Sequence, residues 1–181
     1  MTDTATQYET ALRPLTAVVE ALPPHAWDAS SPCEGWSARD VVRHLAETQR
    51  ETLTGNGVDL GEAPDWTADP VGAWTQHSQR VLDALRDPDQ VDRPIEWFFG
   101  PTTIGATIER FYVWDMYVHR WDLAQAAGLD AGLTDRELDH IERGADALGE
   151  ALHLDGMCAA PVAGARDDRT ARVLARLGRV A

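Results

Sequence analysis

The sequence predicts an all-α protein, a helix bundle with a short additional helical segment at its C-terminal end. Three observations carry that expectation. Apolar residues recur at helical spacing over long stretches, as one buried helix face requires. Ser, Thr or Asp stands before these stretches and Gly after them, where helices start and stop. No two neighbouring segments alternate apolar and polar residues as a paired sheet would.

The first helix is expected from about Thr4 to Leu22, with Tyr8, Leu12, Leu15 and Val19 on one face. Pro14 inside it predicts a kink or a late start. The loop LPPHAWDASSPCEGW follows, dense in proline, serine and glycine. The second helix, SARDVVRHLAETQRETL, has the clearest start: Ser37 caps it, Asp40 takes the third helical position, and Trp36 with Val41 can form a hydrophobic staple. It should end near Gly55. A third helix is expected from about Pro70 to Arg86, with Val71, Trp74, Ser78, Val81 and Leu85 on its apolar face. The stretch RPIEWFFGPTTIGAT reads as extended or turn structure around Gly100-Pro101. A strongly apolar fourth helix runs from about Ala106 to Ala127 and ends at Gly128, a natural left-handed cap. A fifth, Thr134 to Leu152, carries Leu138, Ile141, Ala145 and Leu148; the tail from Asp155 is irregular, then helical through RTARVLARLG.

At 181 residues the chain has the length of one compact domain, with a bundle core from about 4 to 152 and a tail from 153 to 181. A hydrophobic fraction of 44% with seven tryptophans supports a packed interior. No apolar run approaches the roughly 20 residues that span a bilayer. The polar start MTDTATQYET is neither a signal peptide nor a basic anchor, so a cytoplasmic protein without a membrane partner is expected. A formal net charge of −14 repels phosphate backbones and argues against nucleic acid. All sixteen basic residues are arginine, and the absence of lysine excludes Schiff-base chemistry and a Walker-type loop. Cys33 and Cys158 form no CxxC pair and are expected as reduced thiols.

Within FYVWDMYVHRWDLAQ, Asp115 and His119 stand one helical turn apart and converge on one face, as two ligands of a metal ion do. A carboxylate beside Phe111, Val118 and Leu123 is costly unless paired or metal-bound. The competing reading pairs Asp115 with Arg110 or Arg120 and makes His119 a core histidine. His44, on the second helix between Val41, Leu45 and Thr48, lies on the apolar side and supplies a third ligand if the two helices pack together. Two histidines and one carboxylate suit zinc with an open position, and also suit nickel or non-haem iron. His77 lacks a partner one turn away and is read as a packing or surface residue; His25, His140 and His153 fall in a loop, on an exposed-looking face and near a helix end. Asp122 can orient an imidazole from behind, or be a surface acid. Cys33 can be activated by the helix start beside it, or simply tie the loop down.

The stretches SPCEGWSARDVVRHL and DMYVHRWDLAQAAG, in that order and with a GPTTIGA lead into the second, resemble the two metal-ligand segments of the DinB-like superfamily. Within it the sequence is most similar to the actinobacterial branch that includes the metal-binding domain of mycothiol-dependent maleylpyruvate isomerase. The resemblance implies a DinB-like four-helix bundle with His44, Asp115 and His119 as metal ligands. It departs in two ways: the isomerase has a further substrate-binding domain that these residues do not contain, and Arg120 stands where relatives often carry a small residue. The implied activity is that of a thiol-dependent transferase or isomerase, using mycothiol or another small thiol on a small electrophilic substrate. Trp36, Trp97, Phe98, Phe99 and Tyr112 are candidates to wall the pocket, and Arg110 or Arg120 to bind an acidic substrate. A hydrolase, an iron oxygenase or a non-catalytic binding protein are the alternatives, and a homodimer is compatible with the sequence.

Overall fold

The computed structural model describes residues 3–154, 156–163 and 168–180. Four long helices make the bundle: α1 (Thr4–Ala21), α2 (Ala38–Gly55), α3 (Pro70–Ala84) and α6 (Val113–Ala127). Each touches two neighbours, α1 packing on α3 and α6 and α2 packing on the same pair, so the four close into a ring. Between α3 and α6 lie a single turn α4 (Pro88–Val91), a hairpin of β1 (Pro94–Trp97) and β2 (Gly100–Thr103), and the short α5 (Ile104–Thr107). Beyond α6, helix α7 (Asp135–Leu148) covers its outer side and α8 (Arg169–Arg176) lies on α7. Among the described residues no helix is long and apolar enough to cross a membrane.

Local chemistry explains the boundaries. Ser37 and Asp40 form a reciprocal capping box at the start of α2, and Thr134 and Glu137 form another at the start of α7. Helix α6 ends on Gly128 in the left-handed region, φ +67, with the Leu129 N–H donating to the Ala124 carbonyl. Pro14 sits inside an α1 that begins at Thr4, so it does not delay the start; the side chain of Asp3 caps that end.

Three expectations are refined. The stretch read as extended or turn structure is an antiparallel hairpin in the register Pro94 with Thr103 and Trp97 with Gly100, and Gly100 at φ +99 absorbs the left-handed step. The fourth helix is not continuous: Ile108–Tyr112 is a π-helical turn between α5 and α6. Such turns insert an extra residue and recur at functional sites. The fifth helix ends at Leu148, because Gly149 turns to φ +54 and the chain continues as a 3-10 segment to His153. In the tail, Asp155 and residues 164–167 lie outside the described residues.

Helix α6 is the central element. Bundle neighbours bury one side and α7 the other, so every residue from Met116 to Ala124 is buried. His119, Arg120 and Asp122 are thereby taken out of water and must find partners inside the protein.

Candidate metal centre

Each of the three buried polar residues of α6 has a defined partner. Arg120 is 1% exposed, and its guanidinium donates to both carboxylate oxygens of Glu137 at 2.9 and 2.8 Å. That pairing removes Arg120 from any substrate pocket and leaves it no role toward Asp115. The expectation of a substrate-binding Arg120 is thus corrected: the side chain points to α7, away from solvent.

His119 and Asp115 face the other way, toward α2. His119 Nε2 lies 3.2 Å from Asp115 Oδ1, and His44 Nε2 from α2 lies 3.6 Å from Asp115 Oδ2. The two imidazoles meet edge to face with centroids 5.3 Å apart. The three donor atoms lie within 4.8 Å of one another. A tetrahedral ion with bonds of about 2.0–2.2 Å holds neighbouring donors roughly 3.3 Å apart, so these separations fit a divalent ion of zinc's size. His119 is almost fully covered, whereas the His44 and Asp115 side chains remain 31% and 21% exposed, which opens one side of the cluster to solvent.

Electrostatics tie the cluster together. Burial alone pushes the Asp115 carboxyl upward, but the His119 and His44 imidazoles outweigh it and hold the group well below the usual carboxylate range. Burial works to lower His119, yet Asp115, Asp122 and Cys33 around it raise it well above the ordinary imidazole value. A positive charge belongs at this point, as a proton or as a metal ion.

Behind His119 stands Asp122, one turn on and fully buried. Its Oδ2 lies 2.8 Å from His119 Nδ1. Burial pushes this carboxyl up, but hydrogen bonds from His119 and Arg179 bring it down to about 2. Arg179 donates from Nε to Asp122 Oδ1 at 3.0 Å and from Nη2 to Asp122 Oδ2 at 2.8 Å. Of the two readings of Asp122, the buried one holds.

Cys33 reaches the same spot from the loop before α2. The Trp36 N–H donates to the Cys33 carbonyl at 3.0 Å, and Gly35 at φ +78 sits inside that turn, where a left-handed residue is needed. The turn brings Cys33 Sγ to 3.3 Å from Asp122 Oδ2 and stands the Trp36 ring over His44 at 4.7 Å. Cys33, His119 and Asp122 form a second set of donors spaced for a metal. Arg179 Nη2, 3.6 Å from Cys33 Sγ, already supplies the cation of that set. In the His44, Asp115 and His119 set the two imidazoles face one carboxylate, and this is the set open to an ion.

The remaining sequence candidates fall elsewhere. Tyr112 is buried, with its hydroxyl donating to the Thr48 carbonyl at 3.0 Å and 2.5 Å from Thr52 Oγ1, so it ties the π-helical turn before α6 to α2. Trp97 packs on Phe111 at 4.1 Å, and Phe98 projects from the hairpin turn, 80% exposed. Arg110 lies over Phe111 and lines a shallow recess with Trp97 and Phe99. His77 is buried against Gln49 at 3.2 Å, a core residue, while His140 is half-buried and packs edge-on against Tyr117 at 5.3 Å. His25 and His153 are exposed. Sequence reasoning missed Arg179, whose approach from the chain's far end leaves no spacing signal near the site.

The family model of the mycothiol maleylpyruvate isomerase N-terminal domain matches residues 8–124. The chain belongs to that family. No curated protein and no solved structure shows a significant match. The region shared with the isomerase N-terminal domain contains Cys33, His44, Asp115, His119 and Asp122; Arg179 lies outside it.

Proposed function

We propose that this chain is a metal-dependent enzyme of thiol chemistry. In this reading His44, Asp115 and His119 hold one divalent ion, zinc foremost, and the substrates are mycothiol or another small thiol and a small electrophile. The observation that carries the reading is the convergence of the three donors, at 3.6 and 3.2 Å, in a chain whose family is described by mycothiol. When bound, the ion supplies a positive charge that stabilises thiolate at neutral pH.

The chain's own residues set the conditions. Asp115 is the only carboxylate in the set, so it neutralises only part of a divalent charge. Asp122 accepts the Nδ1 proton of His119, which turns the Nε2 lone pair toward His44 and Asp115. Trp36 covers one side of His44, and the exposed edges of His44 and Asp115 give small reactants access. The transfer or isomerisation is assigned to this open edge.

Anaerobic purification with elemental analysis should find close to one ion per chain, and alanine at any of the three ligands should deplete it sharply. Full occupancy in His44→Ala would remove that residue from the site. Cobalt-substituted Cys33→Ser protein should develop a sulfur-to-metal charge-transfer band when mycothiol or a simple thiol is added. An unchanged spectrum at saturating thiol would overturn the thiol chemistry. Ester turnover would then identify a hydrolase and oxygen uptake with iron an oxygenase, while no turnover would leave a non-catalytic binding protein.

A further inference from the structure

Resting on the metal-centre reading above, we propose that Arg179 is a positioning residue of that centre: it fixes Asp122, which fixes His119. The turn after α8 then completes a site otherwise built from residues 33–122.

Asp122 is 0% exposed in the middle of α6. A carboxylate so placed is held in one orientation only if its oxygens are bonded, and the fork of Arg179 takes both. The oxygen facing Nη2 is also the one that meets His119 Nδ1, so the guanidinium sets the angle at which Asp122 presents itself to the imidazole. The rest of the fork is engaged as well. Nη1 donates to the Leu177 carbonyl at 2.9 Å and lies 3.9 Å from Cys158 Sγ, and Nη2 lies 3.6 Å from Cys33 Sγ. Arg179 is 8% exposed, and with its donors directed at these groups it is not disposed to bind substrate.

The backbone delivers Arg179 by a built turn. The Gly178 N–H donates to the Ala175 carbonyl and the Arg179 N–H to the Leu174 carbonyl, which is the paired bonding of a Schellman motif closing α8. Gly178 has φ +79, and a side chain there would press on the backbone of Ala159, whose carbonyl carbon and oxygen would stand 2.9 Å from its Cβ. Glycine is therefore required twice over, by dihedral and by space. The turn directs the next residue inward against α6. Arg179 also fills the Cys33, His119 and Asp122 set with a covalently attached cation, which leaves an incoming ion the His44, Asp115 and His119 set.

The test measures zinc affinity, by competition with a chromophoric chelator, and thermal stability, in Arg179→Met, Arg179→Lys, Asp122→Asn, the double variant Arg179→Met/Asp122→Asn, and Leu177→Ala. Leu177 is fully buried in the same turn but does not bond Asp122 through its side chain. Arg179→Met and Asp122→Asn should each weaken zinc binding about 10- to 100-fold, the range for loss of an outer-shell partner. The double variant should bind no more weakly than Asp122→Asn alone, since the arginine acts through that carboxylate. Arg179→Lys should recover part of the loss, and Leu177→Ala should melt earlier with zinc affinity intact. Wild-type affinity in Arg179→Met, multiplying losses in the double variant, or a zinc loss in Leu177→Ala equal to that in Arg179→Met would overturn the proposal. If Arg179→Met does not fold, Arg179→Lys decides: its smaller loss must vanish in the Asp122→Asn background. Wild-type protein that binds no zinc would sink the metal centre itself, whereas zinc binding indifferent to Arg179 sinks only this assignment.

Discussion

Replacing His77 by glutamine tests whether that histidine belongs to the core or to the chemistry. His77 is 1% exposed on α3, with Nε2 facing Gln49 Oε1, which also accepts the Tyr8 hydroxyl proton at 2.9 Å. Burial pushes the imidazole down to about 4 from an ordinary 6.5, and the charges of Arg50 on α2 and Arg80 on α3 push the same way. A histidine with a depressed folded value takes up its proton more readily when unfolded, so acid favours unfolding. Its contribution is fully present above the ordinary value and is lost as pH falls from about 6.5 toward 4. Between about pH 7 and pH 4.5 the linkage amounts to about 2 kcal/mol. Glutamine keeps the bulk and an N–H donor for Gln49 but cannot titrate. Urea unfolding at the two pH values, with metal state held equal, should show wild-type stability falling by about 2 kcal/mol more than that of His77→Gln. Metal content should be the same in both proteins. Equal acid sensitivity would show that His77 is not held neutral by burial, and loss of metal from a folded His77→Gln protein would make it a ligand.

Glu137→Ala should destabilise the fold by about 3–5 kcal/mol in urea unfolding, because it strands the buried Arg120 guanidinium, while metal content stays unchanged. A cost below about 1 kcal/mol would mean that Arg120 finds water or another acceptor. Zinc uptake should release protons to a weakly buffered dye solution near neutral pH, and binding should tighten as pH rises, since the ion displaces the proton that Asp115 and Asp122 keep on His119. Uptake with no proton release would place the ion away from His119.

The bundle was legible because its signals are local. Ser37 with Asp40 and Gly128 mark ends that depend only on residues a few positions away, and the structure keeps them. Features that depend on a choice between nearly equal local geometries were not legible. The stretch IERFY carries no Gly, Pro or capping residue that would set a π-helical turn apart from an α-helical one. The hairpin closes through Phe98-Phe99 in place of the Asn-Gly or Asp-Gly pair that announces such turns, and its short strands show little alternation. Helix α7 could be timed at its start by Thr134 but not at its end, since a 3-10 continuation carries the same residues onward.

The site divides along the same physical line. Asp115 and His119 share a helix, and a spacing of four residues suffices to put them on one face; His44 needed only the further assumption that two apolar faces meet. Arg120 and Asp122 share that helix too, but spacing could not say which way they point. Helix α6 is apolar on nearly every side, and that was the available clue: a charged residue within a helix buried all round has to be paired. For Arg120 the partner is Glu137 on the next helix, within reach of a local search. For Asp122 the partner lies 57 positions away, beyond α7 and α8, and the visible trace of it in sequence is the Leu177-Gly178-Arg179 turn, which states how α8 ends but not what it faces. The proposed metal ligands are therefore readable from helical periodicity, whereas the residues bonded behind them arrive through tertiary packing, where no periodicity reaches.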